Sequence, residues 1–188
     1  MAITTETFPI TAALHAAQVS RAHFNNWLHR GLVVGAEGQI EGGGVRGRRH
    51  RLSGRAVMQL AVGQALTEAG LSASTALAAA VDFAHLGGEE PFGRGFTAFR
   101  LPGLPFADDA LDTMFAVAGA RTVAFRPGYG GKDSAAILRD KLAPPGAPFP
   151  AVALVNAGEL FANVCTRLGT DFRDELAEAY GSSEEGAA

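Results

Sequence analysis

The chain has 188 residues, 47% of them apolar, enough to bury the core of one compact domain or two small ones. No run approaches the roughly 20 apolar residues a membrane span needs, and residues 1–6 lack the basic-then-apolar pattern of a signal peptide. A single cysteine, Cys165, excludes an intramolecular disulfide and a multi-cysteine metal site, so a cytoplasmic location is expected.

The formal net charge of −3 argues against a nucleic-acid partner, but its distribution argues the other way. Residues 1–70 carry seven arginines against four glutamates, a net +3, and residues 71–188 carry −6. Five of those arginines (Arg46, Arg48, Arg49, Arg51 and Arg55) fall within ten residues. A local basic patch can bind phosphates while the remainder of a protein repels them.

In chain order, residues 1–7 read as a loose leader. A short helix is predicted at about 11–17 with Thr11 as its N-cap. Ser20 can cap the next, about 21–30, where Phe24, Trp27 and Leu28 share one face at spacings of three and four. Gly31 stops it, as a left-handed C-terminal glycine commonly does. Six glycines lie between Val33 and Leu52, and residues 33–34, 39–40 and 49–52 read as short strands joined by flexible turns. Ser53 stands at the N-cap of a helix over 54–69 that places Val57, Leu60, Ala61 and Ala65 on one face. Gly70 ends it, Ser72 or Ser74 starts another over 73–86, and 87–91 reads as a linker.

The second half changes character. A strand at 96–101, a helix at 107–118 with acidic residues in its first turn, a strand at 122–125 and a helix at 134–142 are predicted. A proline-rich loop follows at 144–150, then a strand at 151–155 and helices at 158–168 and 171–180. This alternation predicts a small α/β unit with a short parallel sheet, and 181–188 reads as a disordered acidic tail. The expected fold class is α+β, with one domain over 8–86 and a second, for dimerisation or regulation, over 92–180.

The stretch from Val19 to Leu71 points to a partner. A recognition helix needs an apolar face to dock on its scaffold and short polar or basic side chains opposite to reach base edges. Phe24, Trp27 and Leu28 supply the dock. Ser20, Arg21, His23, Asn25, Asn26 and Arg30 are left for the outer face. Arginine pairs with guanine and asparagine with adenine, and a capping serine with the first helix amides holds a phosphate. Periodicity alone favours an ordinary amphipathic helix pair, since such helices are common. The glycine-rich segment carrying Arg46, Arg48, Arg49 and Arg51 decides between the two, because it is poor core material and suits a DNA backbone.

Val19-Ser20, His23 to Leu32, His50-Arg51-Leu52-Ser53 and Gly70-Leu71-Ser72 together resemble the MerR family of bacterial regulators. In that family Val-Ser is followed after two residues by Thr-Leu-Arg-Tyr-Tyr-Glu, two residues and Gly-Leu; Phe24 takes the place of the leucine and Trp27 of the second tyrosine. The resemblance covers about residues 8–86. It implies a winged helix-turn-helix that contacts DNA through its second helix and its wing. Asn25 stands for the family's arginine and Asn26 for its first tyrosine. The wing is longer and richer in glycine, and the long dimerisation helix is replaced by a short one meeting Gly87-Gly88.

Other constellations are thin. Gly128-Tyr129-Gly130-Gly131-Lys132-Asp133-Ser134 resembles a phosphate loop but fails on spacing, with Arg126 at the first glycine and Asp133 after the lysine. Asp108, Asp109 and Asp112 read as first-turn residues complementing a helix dipole, His85 as a packed histidine, and Cys165 as a small core residue. The expected function is a sequence-specific DNA-binding transcriptional regulator, not an enzyme and without a cofactor or metal. Its expected partners are double-stranded DNA, a second copy of the chain and RNA polymerase. The alternative is a phage or mobile-element DNA-binding factor, excisionase-like or for DNA packaging. An enzyme with a DNA-targeting N-terminus ranks behind both.

Overall fold

The computed structural model describes residues 3–33, 40–41, 51–89, 99–131, 133–143, 146, 148 and 150–184. The fold is mixed α+β, with seven α-helices and three small sheets among those residues.

Residues 3–5 and 7, expected in a loose leader, belong to elements of the fold. Ile3–Thr5 forms a 3₁₀ turn and Thr7–Pro9 a strand, β1. Ile3 is buried, and its N–H donates to the buried carboxylate of Glu175 near the other end of the chain. β1 pairs antiparallel with β3 (Arg51–Ser53), which pairs on its far side with β2 (Ile40–Glu41). Three residues carry no readable alternation, and the partner strand lies 44 positions away, so nothing local announces β1.

Helix α1 (Ile10–Ala16) begins directly after Pro9, whose φ of −55° and extended ψ suit the cap position, so Thr11 lies inside the helix rather than at its cap. It ends at Gln18, in the left-handed region at φ 57°, with the Val19 N–H donating to the Leu14 carbonyl at 3.0 Å. Six-to-one closure of this kind satisfies carbonyls left over by the last turn. α2 (Arg21–His29) is capped by Ser20, as its sequence predicts, and closed the same way at Gly31, where φ is +66° and the Leu32 N–H donates to the Trp27 carbonyl at 2.9 Å. Ser53 caps α3 (Gly54–Glu68) and Ser72 caps α4 (Ala73–His85), each hydroxyl accepting from the amide three residues on. The two helices pack along each other, with Val57, Leu60, Ala61, Leu77, Ala80 and Phe83 buried.

In the second half the order of elements departs from expectation. Residues 88–89, expected in a linker, form β4 (Gly88–Glu89), paired antiparallel with β5 (Phe99–Arg100). Of the expected strand at 96–101, residues 99–100 form β5 and residues 96–98 lie outside the described residues. The expected helix over 107–118 is absent. Ala110–Asp112 is a single 3₁₀ turn preceded by Asp109 at φ 49°, and Met114–Ala118 is a strand, β6. The Thr113 hydroxyl accepts the Phe106 N–H at 3.1 Å and fixes the bend between them. Gly119 at φ +61° opens a two-residue turn into β7 (Arg121–Phe125), with Ala118 opposite Arg121. A glycine first in a two-residue loop is a hairpin signal, and a hairpin is antiparallel by construction. After α5 (Ser134–Leu142), β8 (Ala153–Asn156) joins β6 on the other side, again antiparallel. The sheet β7-β6-β8 is therefore wholly antiparallel, where a parallel one was expected.

α6 (Ala157–Leu168) and α7 (Phe172–Glu184) complete the chain, and α7 carries helix into the expected disordered tail at 181–184. α6 is strongly amphipathic. Its buried Phe161, Val164 and Cys165 face α1 and α3, and the Arg167 guanidinium donates to the Ala16 carbonyl at the end of α1, 3.1 Å away. Buried side chains from Ile3 to Leu176 thus form one continuous cluster that includes Phe24, Trp27, Phe83, Phe115 and Phe161. Among the described residues no helix is long and apolar enough to cross a membrane.

Candidate nucleic-acid interface

α2 is positioned by two aromatic anchors. Phe24 and Trp27 are 1% and 5% exposed and belong to the central cluster, and Leu28 packs partly buried beside them. With the docking face fixed, the rest of the helix turns outward: Ser20, Arg21, Ala22, His23, Asn25, Asn26, His29 and Arg30 are all exposed. The face carries arginine, histidine and asparagine and no carboxylate.

The side chains on this face are not equivalent. Ser20 Oγ is committed to the His23 N–H at 3.1 Å, so its first task is to start the helix. The His23 ring stacks on Trp27, centroids 5.8 Å apart and planes inclined by 28°. The Arg21 guanidinium lies 6.0 Å over the Phe24 ring. Both therefore lean back on the anchors, while Asn25, Asn26, His29 and Arg30 stand clear. His29 was not among the residues expected on the reading face; one more turn of the same helical count would have found it.

The three-stranded sheet β1-β3-β2 lies next in the fold, and residues 42–50 connect β2 to β3. Arg46, Arg48 and Arg49 fall in that connection and lie outside the described residues. Arg51 is described, exposed, and tied down: its Nε donates to Thr7 Oγ1 at 3.0 Å and its Nη2 to the Thr7 carbonyl at 2.5 Å. It bridges β3 to β1 at the base of the loop. Sequence reasoning missed this second role because it missed β1.

Two buried arginines of the second half, Arg100 and Arg126, serve the fold. Arg100 is 3% exposed; its Nη1 donates to the carbonyls of Phe83, Leu101 and Leu104, and its Nη2 to those of Asp82 and Leu86. Its guanidinium sits 4.3 Å over the Phe83 ring, and burial lowers its pKa to about 10. Arg100 lines one wall of a cleft of about 550 Å³ together with Asp82, Phe106, Phe115 and Thr122, with both Nη groups already occupied by backbone. Arg126, also buried, stacks 3.5 Å from the Tyr129 ring and donates to the Asp108 carbonyl. That inward-facing arginine stands where a phosphate loop would have its first glycine, and the start of α5 already holds the Asp133 carboxylate, which accepts the Ala135 N–H at 3.2 Å. Asp109 precedes and Asp112 ends a single 3₁₀ turn, so no α-helix stands there whose dipole they could complement.

His85 Nε2 donates to Gln59 Oε1, 3.1 Å away, and burial together with the nearby Arg55 charge holds its pKa below the ordinary histidine value. The Cys165 thiol is fully buried and pushed up to about 12 by that burial. Among the described residues no three His, Cys, Asp or Glu side chains are grouped to hold a metal ion. No protein-family model matches the chain, and comparison with curated proteins and with solved structures likewise returns no match.

Proposed function

We propose that the chain is a sequence-specific DNA-binding protein, a transcriptional regulator, that lays α2 in the major groove. A winged helix-turn-helix arrangement is part of this reading: α1 and α2 form the helix pair, and the connection between β2 and β3 forms the wing. The observation that carries it is the outward face of α2, a continuous strip of exposed Asn, His and Arg side chains without a carboxylate, held rigid by Phe24 and Trp27. An α-helix fits the major groove, and these side chain types match the donors and acceptors presented there. The turn between α1 and α2 is short and closed by backbone hydrogen bonds at Gln18 and Val19, so the helix enters the groove without an entropic cost of ordering.

In this mechanism Arg46, Arg48 and Arg49, with the free edge of Arg51, neutralise phosphates and supply affinity, while α2 supplies base choice. Binding as a two-fold dimer would place two α2 helices in successive grooves, about one helical turn apart. Fluorescence anisotropy on a 30-base-pair duplex over a salt series tests the reading. The affinity of the parent should fall steeply with salt, and Arg48→Ala with Arg49→Ala should reduce that slope by about one unit per lost phosphate contact. Identical slopes for parent and variant would remove the wing from the mechanism.

A further inference from the structure

We infer that base choice rests on a narrow stripe made by Ala22, Asn26 and His29, and that Arg21 and His23 are positioning contacts rather than base readers. This rests on the reading of α2 as the groove-bound helix and goes further by naming which atoms read which base edges.

At 3.6 residues per turn each position advances about 100° around the axis. Phe24, Trp27 and Leu28 then span an arc of about 100°, and their burial fixes that arc against the core. Directly opposite, Ala22, Asn26 and His29 fall within about 60° of one another, centred about 170° from the dock. All three are exposed. Asn25 and Arg30 border this stripe on either side, and both are exposed. Arg21 and His23 lie about 70° and 90° from the dock centre, on the shoulders of the helix. Their contacts agree with that position, since Arg21 rests over Phe24 and His23 stacks on Trp27.

A helix lying in the major groove turns the side opposite its scaffold toward the groove floor, and its shoulders toward the two phosphate walls. The stripe therefore meets base edges, and the shoulders meet backbone. Asn26 has the donor and acceptor needed for adenine N6 and N7. The Ala22 methyl is small enough to admit close approach and suits a thymine methyl. His29, one turn after Asn25 and Asn26, presents an imidazole N–H to an acceptor such as guanine N7 or O6. The ligand class is a duplex whose half-site pairs an A·T step under Ala22 and Asn26 with an acceptor-bearing purine under His29.

Selection of bound duplexes from a random library tests this, using the full chain and the single variants Asn26→Ala, His29→Ala, Arg21→Ala and His23→Ala. All four positions are exposed, and unchanged circular dichroism and melting temperature would show that the fold is kept. The parent should enrich a short motif. Asn26→Ala and His29→Ala should each relax one base position of it by about tenfold or more. Arg21→Ala and His23→Ala should weaken all sequences by a common factor and leave the motif intact. A motif unchanged in His29→Ala and Asn26→Ala, or a position lost in Arg21→Ala or His23→Ala, would overturn the assignment. A parent that binds no duplex at all would overturn the underlying reading of α2, and is distinguishable from both.

Discussion

Replacing Arg100 by methionine should destabilise the protein by about 3–5 kcal/mol. The side chain volume is kept, so the change isolates the guanidinium. In the native chain that group donates to five carbonyls and stacks on Phe83. Two of those carbonyls keep another donor, because Phe83 O also accepts the Gly103 N–H and Leu101 O the Leu104 N–H. The remaining three, on Asp82, Leu86 and Leu104, lose the bond the guanidinium gives them. Each stripped carbonyl costs about 1 kcal/mol or somewhat more, and the lost cation–π contact adds about 1 kcal/mol. Relief of burying a cation offsets part of this. For a chain of this size the sum corresponds to a melting temperature lower by about 10 °C. Urea unfolding followed by circular dichroism measures it, with an unchanged m-value as the check that the same transition is being compared. Arg100→Lys should recover little, because one ammonium on a flexible stem cannot reproduce the planar fork. A loss below about 1 kcal/mol for Arg100→Met would mean that the guanidinium does not hold these carbonyls in place.

Ser20→Ala should cost about 1 kcal/mol through the lost cap on α2, measured by the same unfolding curve, and fraying of the helix start should weaken DNA binding in parallel. Cys165, buried with its thiol pushed up to about 12, should resist an aromatic disulfide reagent at pH 8 in the native protein and react fully in urea; rapid native labelling would contradict its burial. His85 titrates below its ordinary value of about 6.5 in the folded chain, so below that pH the unfolded state binds more protons. Stability should therefore fall as pH drops through 6.5 toward the folded value, and His85→Gln should show a smaller fall between pH 7.5 and 5.5 in urea midpoint; equal falls would count against the coupling.

The first half of the fold was largely legible because its signals are local. Ser20, Ser53 and Ser72 sit at caps, Gly31 and Gly70 at left-handed stops, and each lies next to the element it delimits. What escaped is what depends on distant partners. β1 exists because Leu52 and its neighbours lie across from Phe8, and Arg51 becomes a strut only once Thr7 is beside it. The sequence from 107 to 118 offers acidic residues followed by Leu, Met, Phe, Ala and Val, a composition that helix and buried strand share. The deciding clue was Gly119, which opens a hairpin and so also decides that β6 and β7 pair antiparallel. In the candidate site, the outward set on α2 could be counted from helical period once Phe24 and Trp27 were taken as anchors. The leaning of Arg21 and His23 onto those anchors could not, because it depends on rotamers.

Whether duplex DNA lies against α2 can be read from amide chemical-shift mapping of the 19.4 kDa chain on titration with a selected duplex. The perturbed amides should concentrate in residues 20–31 and on the strands β2 and β3 flanking the arginine-rich connection, while β6, β7 and α5 stay unmoved. Shifts confined to the second half, or none at low salt, would contradict DNA binding through α2.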